Sequence, residues 1–191
     1  MKSNRNVANA LCLECGICCD GTLFKDVELQ AVDDTARLRQ LGLKLKEGTS
    51  SRIKSENTTR KNEPSLIHFA QPCAALCGGH QCRIYDERPA HCRNFECALF
   101  IAVAVGKLQT SAAQRTIRSA RQGAERVRRL LRELGDHDET MALSVRFRRV
   151  RRRFETSAIS EEAAAIFAQL TLAVHELNLI LSEAFYPGSS N

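Results

Sequence analysis

The sequence predicts a mainly α fold: an irregular, metal-braced, cysteine-rich N-terminal region with little β structure, followed by a helical C-terminal half. Three observations lead there. All nine cysteines fall between Cys12 and Cys97, and the last 94 of the 191 residues hold none. Beyond Ser111, apolar residues recur at steps of three and four, the period of an amphipathic helix. Hydrophobic residues make up 43% of the chain, but that count includes the cysteines, and with eight Phe, two Tyr and no Trp the mass for ordinary packing is modest. Something else is expected to brace the first half. Residues 1–109 are therefore expected to form a cysteine-cluster region, with 110–191 a helical region packed on it. A chain of this length has room for one core, not for an enzyme with separate substrate modules.

Taken in order, Met1 to Ala10 carries two basic residues but no apolar run ahead of the first cysteine, so no secretion signal is expected. Leu23, Val27 and Leu29 alternate with polar residues, which predicts one short strand within Gly21 to Leu29. Val32, Ala36 and Leu41 stand at helical spacing, with Asp33 and Asp34 in the first turn and Gly42 placed as a left-handed cap. A short helix is predicted. Residues 46–63 offer one large apolar side chain, Ile53, among Ser, Thr, Asn, Lys and Glu, and so are expected to form a mobile loop. The run Ala98 to Val105, closed by Gly106, fits a short helix or strand. It is the longest apolar run and about half of what a membrane span needs, so no membrane association is expected.

Ser111 and Gln114 have capping-box spacing. Ile117, Ala120, Ala124, Val127, Leu131 and Leu134 then form one apolar stripe, stopped by Gly135. A second helical stripe uses Phe147, Val150 and Phe154. A third runs from about Ile159 to Phe185 through Ile166, Leu170, Val174, Leu177 and Leu181.

The net charge of +6 is uneven, because Ser111 to Phe154 holds 13 Arg against five Asp or Glu. Arg146, Arg148, Arg149, Arg151, Arg152 and Arg153 crowd into eight positions between helical phenylalanines. A basic patch for nucleic acid or an acidic protein partner is one reading. Helical geometry spreads those arginines around most of the circumference and no aromatic ladder offers base stacking, so a solvated or partner-facing helix is the preferred expectation.

The chemistry lies in the cysteines. Cys12, Cys15, Cys18 and Cys19 form C-x2-C-x2-C-C, four thiols within eight residues. Two intervening residues let a tight turn aim flanking sulfurs at one centre, and Gly16 permits the backbone to turn its amides toward them. Side chains of neighbouring residues diverge, so Cys18 and Cys19 are expected to serve different metals or different corners of one cluster. One segment cannot complete such a site. The missing ligands are offered by Cys73, Cys77, Cys82, Cys92 and Cys97, at spacings that match no standard zinc finger. Pro89 suits the first position of a helix, which would put Cys92 at the end of its first turn, where the dipole favours a thiolate. Arg88 and Arg93 are candidates to offset thiolate charge, and Ile84 with Tyr85 to exclude water. His68, His80 and His91 lie near the cysteines but are expected to be non-ligands, since thiols already outnumber the need; His137 and His175 are expected to be loop and helix residues.

These residues resemble the CxxCxxCC family of YkgJ-type cysteine-cluster proteins, described as zinc- or iron-chelating. Two blocks carry the resemblance. The first is Leu11 to Asp20 with its four cysteines. The second joins Cys73-Ala-Ala-Leu, Cys82-Arg-Ile-Tyr, Arg88-Pro89, Cys92-Arg93 and Phe95-Glu-Cys97. What the resemblance implies is a metal-binding set of Cys12, Cys15, Cys18, Cys19, Cys73, Cys82, Cys92 and Cys97. Cys77 is an addition to the pattern and is left as a non-ligand thiol.

The metal stays open between zinc and iron. Eight thiolates suffice for two tetrahedral zinc centres, whereas three cysteines at successive x2 spacing are similar to the opening of a bacterial ferredoxin motif, which wraps a 4Fe-4S cluster. The flagellin lysine methylases carry a similar cysteine cluster and an iron-sulfur association, which keeps an iron-sulfur enzyme or redox partner as an alternative. A metal-stapled adaptor is the third reading. No catalytic residue is assigned, because no Ser-His-Asp or Cys-His pair, phosphate loop or dinucleotide fingerprint is legible and a fully thiolate-ligated ion has no open position. Free thiols in this number suit a cytoplasmic location.

Overall fold

The computed structural model describes residues 2–48, 66–78, 80–156 and 160–186. The chain opens with a helix, α1 (Lys2–Cys15), and then crosses a tight loop into a short strand, β1 (Asp26–Glu28). Next come α2 (Thr35–Gln40), β2 (Leu45–Gly48) and β3 (Leu66–Ala70), then α3 (Ala90–Asn94) and α4 (Ala98–Ala104). Three longer helices complete the chain: α5 (Thr110–Glu133), α6 (Leu143–Thr156) and α7 (Glu161–Ala184). The fold is mainly helical, as the composition and periodicity predict, and it carries one small antiparallel sheet where a single short strand, met here by β1, is expected.

The large core joins both halves of the chain. Ile117, Ala120, Ala124, Val127 and Leu131 of α5 are buried against Leu170, Ala173, Leu177 and Leu181 of α7, and the same cluster takes in Ala8, Leu11 and Cys15 of α1 and Leu99, Phe100 and Val103 of α4. The stripes expected on α5 and α7 are thus the packed faces. On α6, Val150 is fully buried, while Phe154 stacks on Phe167 at 4.4 Å between ring centroids. By length and apolar composition α7 is also long enough to cross a membrane, although no single uninterrupted run in the sequence is.

A smaller cluster lies under the sheet, whose strand order is β1-β3-β2, with Val27 and Leu45 both opposite Phe69 on the central strand. Among the described residues, Val27, Leu38, Leu43, Phe69, Ala75 and Ile84 are the ones buried in it. At this size it supplies far less apolar burial than the helical core.

Several local expectations need correction. The N-terminal segment is not irregular, because α1 delivers Cys12 and Cys15 from its last turn. The helix expected at Val32 to Leu41 begins only at Thr35, capped by the Asp34 carboxylate accepting from the Arg37 amide at 2.9 Å. Its buried residue is Leu38, whereas Val32 is 76% exposed, so the helix buries a different side from the expected stripe. Gly42 does take the left-handed conformation, with φ +92°. Residues 46–48 of the expected loop belong to β2, paired with β3; its residues 49–63 lie outside the described residues. The Ala98 run is helical, and α3 begins one residue later than expected, with Pro89 just ahead of it. The capping box at Ser111 and Gln114 does not form; α5 begins at Thr110 after Gln109, which makes no side-chain cap. The third stripe's start near Ile159 lies outside the described residues, and α7 is capped by Ser160 accepting from the Ala163 amide at 3.2 Å.

The arginine run is mostly bound internally. Arg146 is 1% exposed, donating from Nε to Asp136 Oδ1 at 3.0 Å and from Nη2 to the Asp136 carbonyl at 2.6 Å. Arg149 clamps both oxygens of the same carboxylate at 2.8 and 2.9 Å. Arg153 donates to the Leu134 carbonyl and Arg151 pairs with Glu155. The contacts of Arg146, Arg149 and Arg153 fasten the α5–α6 turn, which is a structural use of charge that a linear count cannot reveal.

Candidate metal centre

The first cysteine block is a helix end followed by a turn. After Cys15 the chain reverses through Gly16, with φ +65° and the Gly16 carbonyl accepting from the amides of Cys19 and Asp20 at 2.8 and 3.0 Å. Only glycine suits this position. A Cβ there would lie 2.7 Å from the Cβ of His80, which folds over the turn.

The two blocks meet through the backbone: the Cys73 amide donates to the Cys19 carbonyl at 2.8 Å. Helix α5 holds the junction from below. Arg121 donates to the carbonyls of Glu14 and Cys15, the latter at 2.8 Å, covering the exposed end of α1. Two turns further on, Arg128 pairs with the buried Asp20 at 2.9 Å and donates to Thr22 at 3.2 Å. Sequence reasoning missed both arginines, since nothing marks them among the other cations of α5 except their seven-residue separation, which puts them on one face.

All eight cysteines of the family pattern come to this junction, in two overlapping sets. Cys12, Cys15, Cys18 and Cys97 line a cavity of about 30 Å³ beneath the helices. Cys12, Cys18, Cys19, Cys82 and Cys92 line a larger one of about 50 Å³ toward the sheet. Cys73 stands close enough to Cys19 and Cys82 for their charges to raise its pKa. Cys77 is exposed and lines neither cavity.

The electrostatics are those of thiols gathered in a place that disfavours bare charge. Burial pushes Cys15 and Cys92 up to about 12 and Cys73 up to about 11, with neighbouring sulfurs adding to each shift. Burial likewise raises Cys12, Cys82 and Cys97. Cys19 goes the other way, because the Cys18 thiol donates a hydrogen bond to its sulfur; the same bond raises Cys18. Offsetting these penalties, backbone amides point at sulfurs two residues back: Ile17 at Cys15, Ala75 at Cys73, Ile84 at Cys82 and Leu99 at Cys97. The Ala75 contact measures 3.4 Å, as does that from Phe100, by which Cys97 caps α4.

Arg88 is the cation that faces both sets. It favours the charged forms of Cys12, Cys19, Cys82 and Cys92, and is held by its Nε donating to the Tyr85 carbonyl at 2.7 Å with its guanidinium 3.5 Å above the Tyr85 ring centroid. Arg93, expected to share this role, is exposed and instead donates to the Arg88 carbonyl at 2.5 Å. Tyr85 hydrogen bonds Cys12, whereas Ile84, expected beside it, is buried in the small core under the sheet.

Of the histidines, His80 and His91 line the larger cavity and His68 belongs to β3. His91 is wedged edge-on to Phe24 at 5.6 Å, and its Nε2 is buried with no hydrogen-bond partner among the described residues. Burial and the nearby Arg121 push the His80 imidazole down, toward its neutral form. His137 lies in the loop after α5 and His175 on the outer face of α7.

Whether this junction suits a metal can be judged from its donors. Among the described residues, no three Cys, His, Asp or Glu side chains already stand in an ion-holding arrangement, so ligation must draw the sulfurs inward. In type and number the donors fit: eight convergent thiols with amide and guanidinium support suit soft, thiophilic ions such as zinc or iron. Binding would expel the thiol protons.

Sulfurs gathered in this way over a helical base define a cysteine-cluster protein. The match to known families agrees: the chain belongs to the CxxCxxCC family, described as a "Putative zinc- or iron-chelating domain", whose model matches residues 11–120. No curated protein and no solved structure matches the chain significantly.

Proposed function

We propose that this chain is a YkgJ-type metal-binding protein in which Cys12, Cys15, Cys18, Cys19, Cys73, Cys82, Cys92 and Cys97 hold zinc or iron as thiolates. The observation that carries the reading is the meeting of two cysteine blocks more than fifty residues apart, tied by the Cys73 amide to the Cys19 carbonyl. A fully thiolate-ligated ion has no open position for substrate, so the metal's role is to brace the fold. A reducing cytoplasm would keep these thiols available for metal.

The test is anaerobic purification followed by metal analysis and an absorption spectrum. Stoichiometric zinc or iron that is lost when the cysteines of either block are replaced supports the reading. Protein that stays folded and metal-free when offered both ions contradicts it. Broad visible absorption would identify an iron-sulfur cluster and favour the redox alternative suggested by the C-x2-C-x2-C spacing.

A further inference from the structure

We propose that the eight thiols make two separate four-thiolate centres, each for a single ion: Cys12, Cys15, Cys18 and Cys97 hold one, and Cys19, Cys73, Cys82 and Cys92 hold the other. The proposal rests on the metal-binding reading above and adds its stoichiometry and ligand assignment.

The smaller cavity decides the partition. Its only thiols are Cys12, Cys15, Cys18 and Cys97, and its other walls are apolar side chains such as Leu11, Phe100 and Phe185. A four-coordinate ion there takes all four and leaves four of the family set for the other site. Cys12 and Cys18 also line the larger cavity, so they form the wall between the sites. The adjacent residues Cys18 and Cys19 then fall to neighbouring centres, and the hydrogen bond between their thiols crosses the wall between the two sites.

One further observation agrees with this division. The sulfurs with an amide aimed from two residues ahead are Cys15 and Cys97 in one group and Cys73 and Cys82 in the other, two in each.

The proposal is tested by native mass spectrometry of the zinc-loaded full chain, with X-ray absorption at the metal edge. Two ions per wild-type chain, one in Cys97→Ser, one in Cys73→Ser and two in Cys77→Ser are expected. The edge spectrum of the wild-type protein should show four sulfurs at about 2.3 Å and no metal-metal scattering. Because that measurement uses the unmodified chain, it stands even if a variant fails to fold. Metal-metal scattering, or loss of all metal from both single variants, would overturn the partition while leaving metal binding intact. A wild-type chain that binds nothing would remove the parent reading as well.

Discussion

The two thiol groups share donors and charge but rest on different foundations. Cys12 and Cys15 at the end of α1, Cys18 in the turn after it and Cys97 at the start of α4 sit against the core that also packs α5 and α7. Cys73, Cys82 and Cys92 border a cluster of six buried residues under a three-stranded sheet. Apolar burial scales with the area removed from water, so the first group stands on a scaffold that can hold itself together and the second does not. Metal should therefore matter most to the second.

The largest expected effect follows directly. Chelation should abolish hydrogen-exchange protection in β1, β3 and α2 while α5 and α7 keep theirs. Uniform loss across sheet and helices would break the contrast, and unchanged protection everywhere would show that metal braces neither part.

A second prediction probes the helical side without touching a thiol. Replacing Asp136 with Ala leaves Arg146 buried and unpaired, and should cost about 3–5 kcal/mol in denaturant unfolding. Its pH dependence has a definite sign. Burial raises the Asp136 pKa, but hydrogen bonds from Arg149 and Arg146 more than offset this and hold it below the ordinary 3.8. A lowered folded value means the carboxylate contributes its full stability above the unfolded pKa and loses it as pH falls through the folded one. Acid titration of the helical unfolding transition should show that loss in the wild type and not in Asp136→Ala.

A smaller effect is expected at the boundary of the two groups. Arg88→Met removes the cation facing Cys12, Cys19, Cys82 and Cys92, and should weaken metal affinity by about 10–100-fold, the usual cost of losing a group behind the ligands. Arg93→Ala, which removes a bond to the Arg88 carbonyl, should change affinity much less. Equal effects in competition titrations would remove the distinction between them.

How far the sequence carried this picture depended on what each signal measures. Periodicity gave α5 and α7 because their stripes are long and continuous. It does not reveal α1, although Ala8, Leu11 and Cys15 lie at steps of three and four, because Cys15 serves as a buried apolar side chain as well as a candidate ligand. On α2 the helix was legible but Leu38 was not recognised as its buried residue, since six residues are too few for a stripe to outweigh a neighbouring Val32. β2 and β3 stayed hidden because their pairing partners are distant in sequence. The cysteine set was legible from spacing and family likeness, whereas the supports from Arg121 and Arg128 depend on which face of α5 meets the loop.

The convergence of both blocks on metal can be tested in one experiment, by alkylating thiols in the native metal-loaded protein and mapping them by mass. Cys77 alone should react while metal is bound, and all nine cysteines after chelation. Ready alkylation of cysteines from either block, with the full complement of metal still in place, would contradict the account.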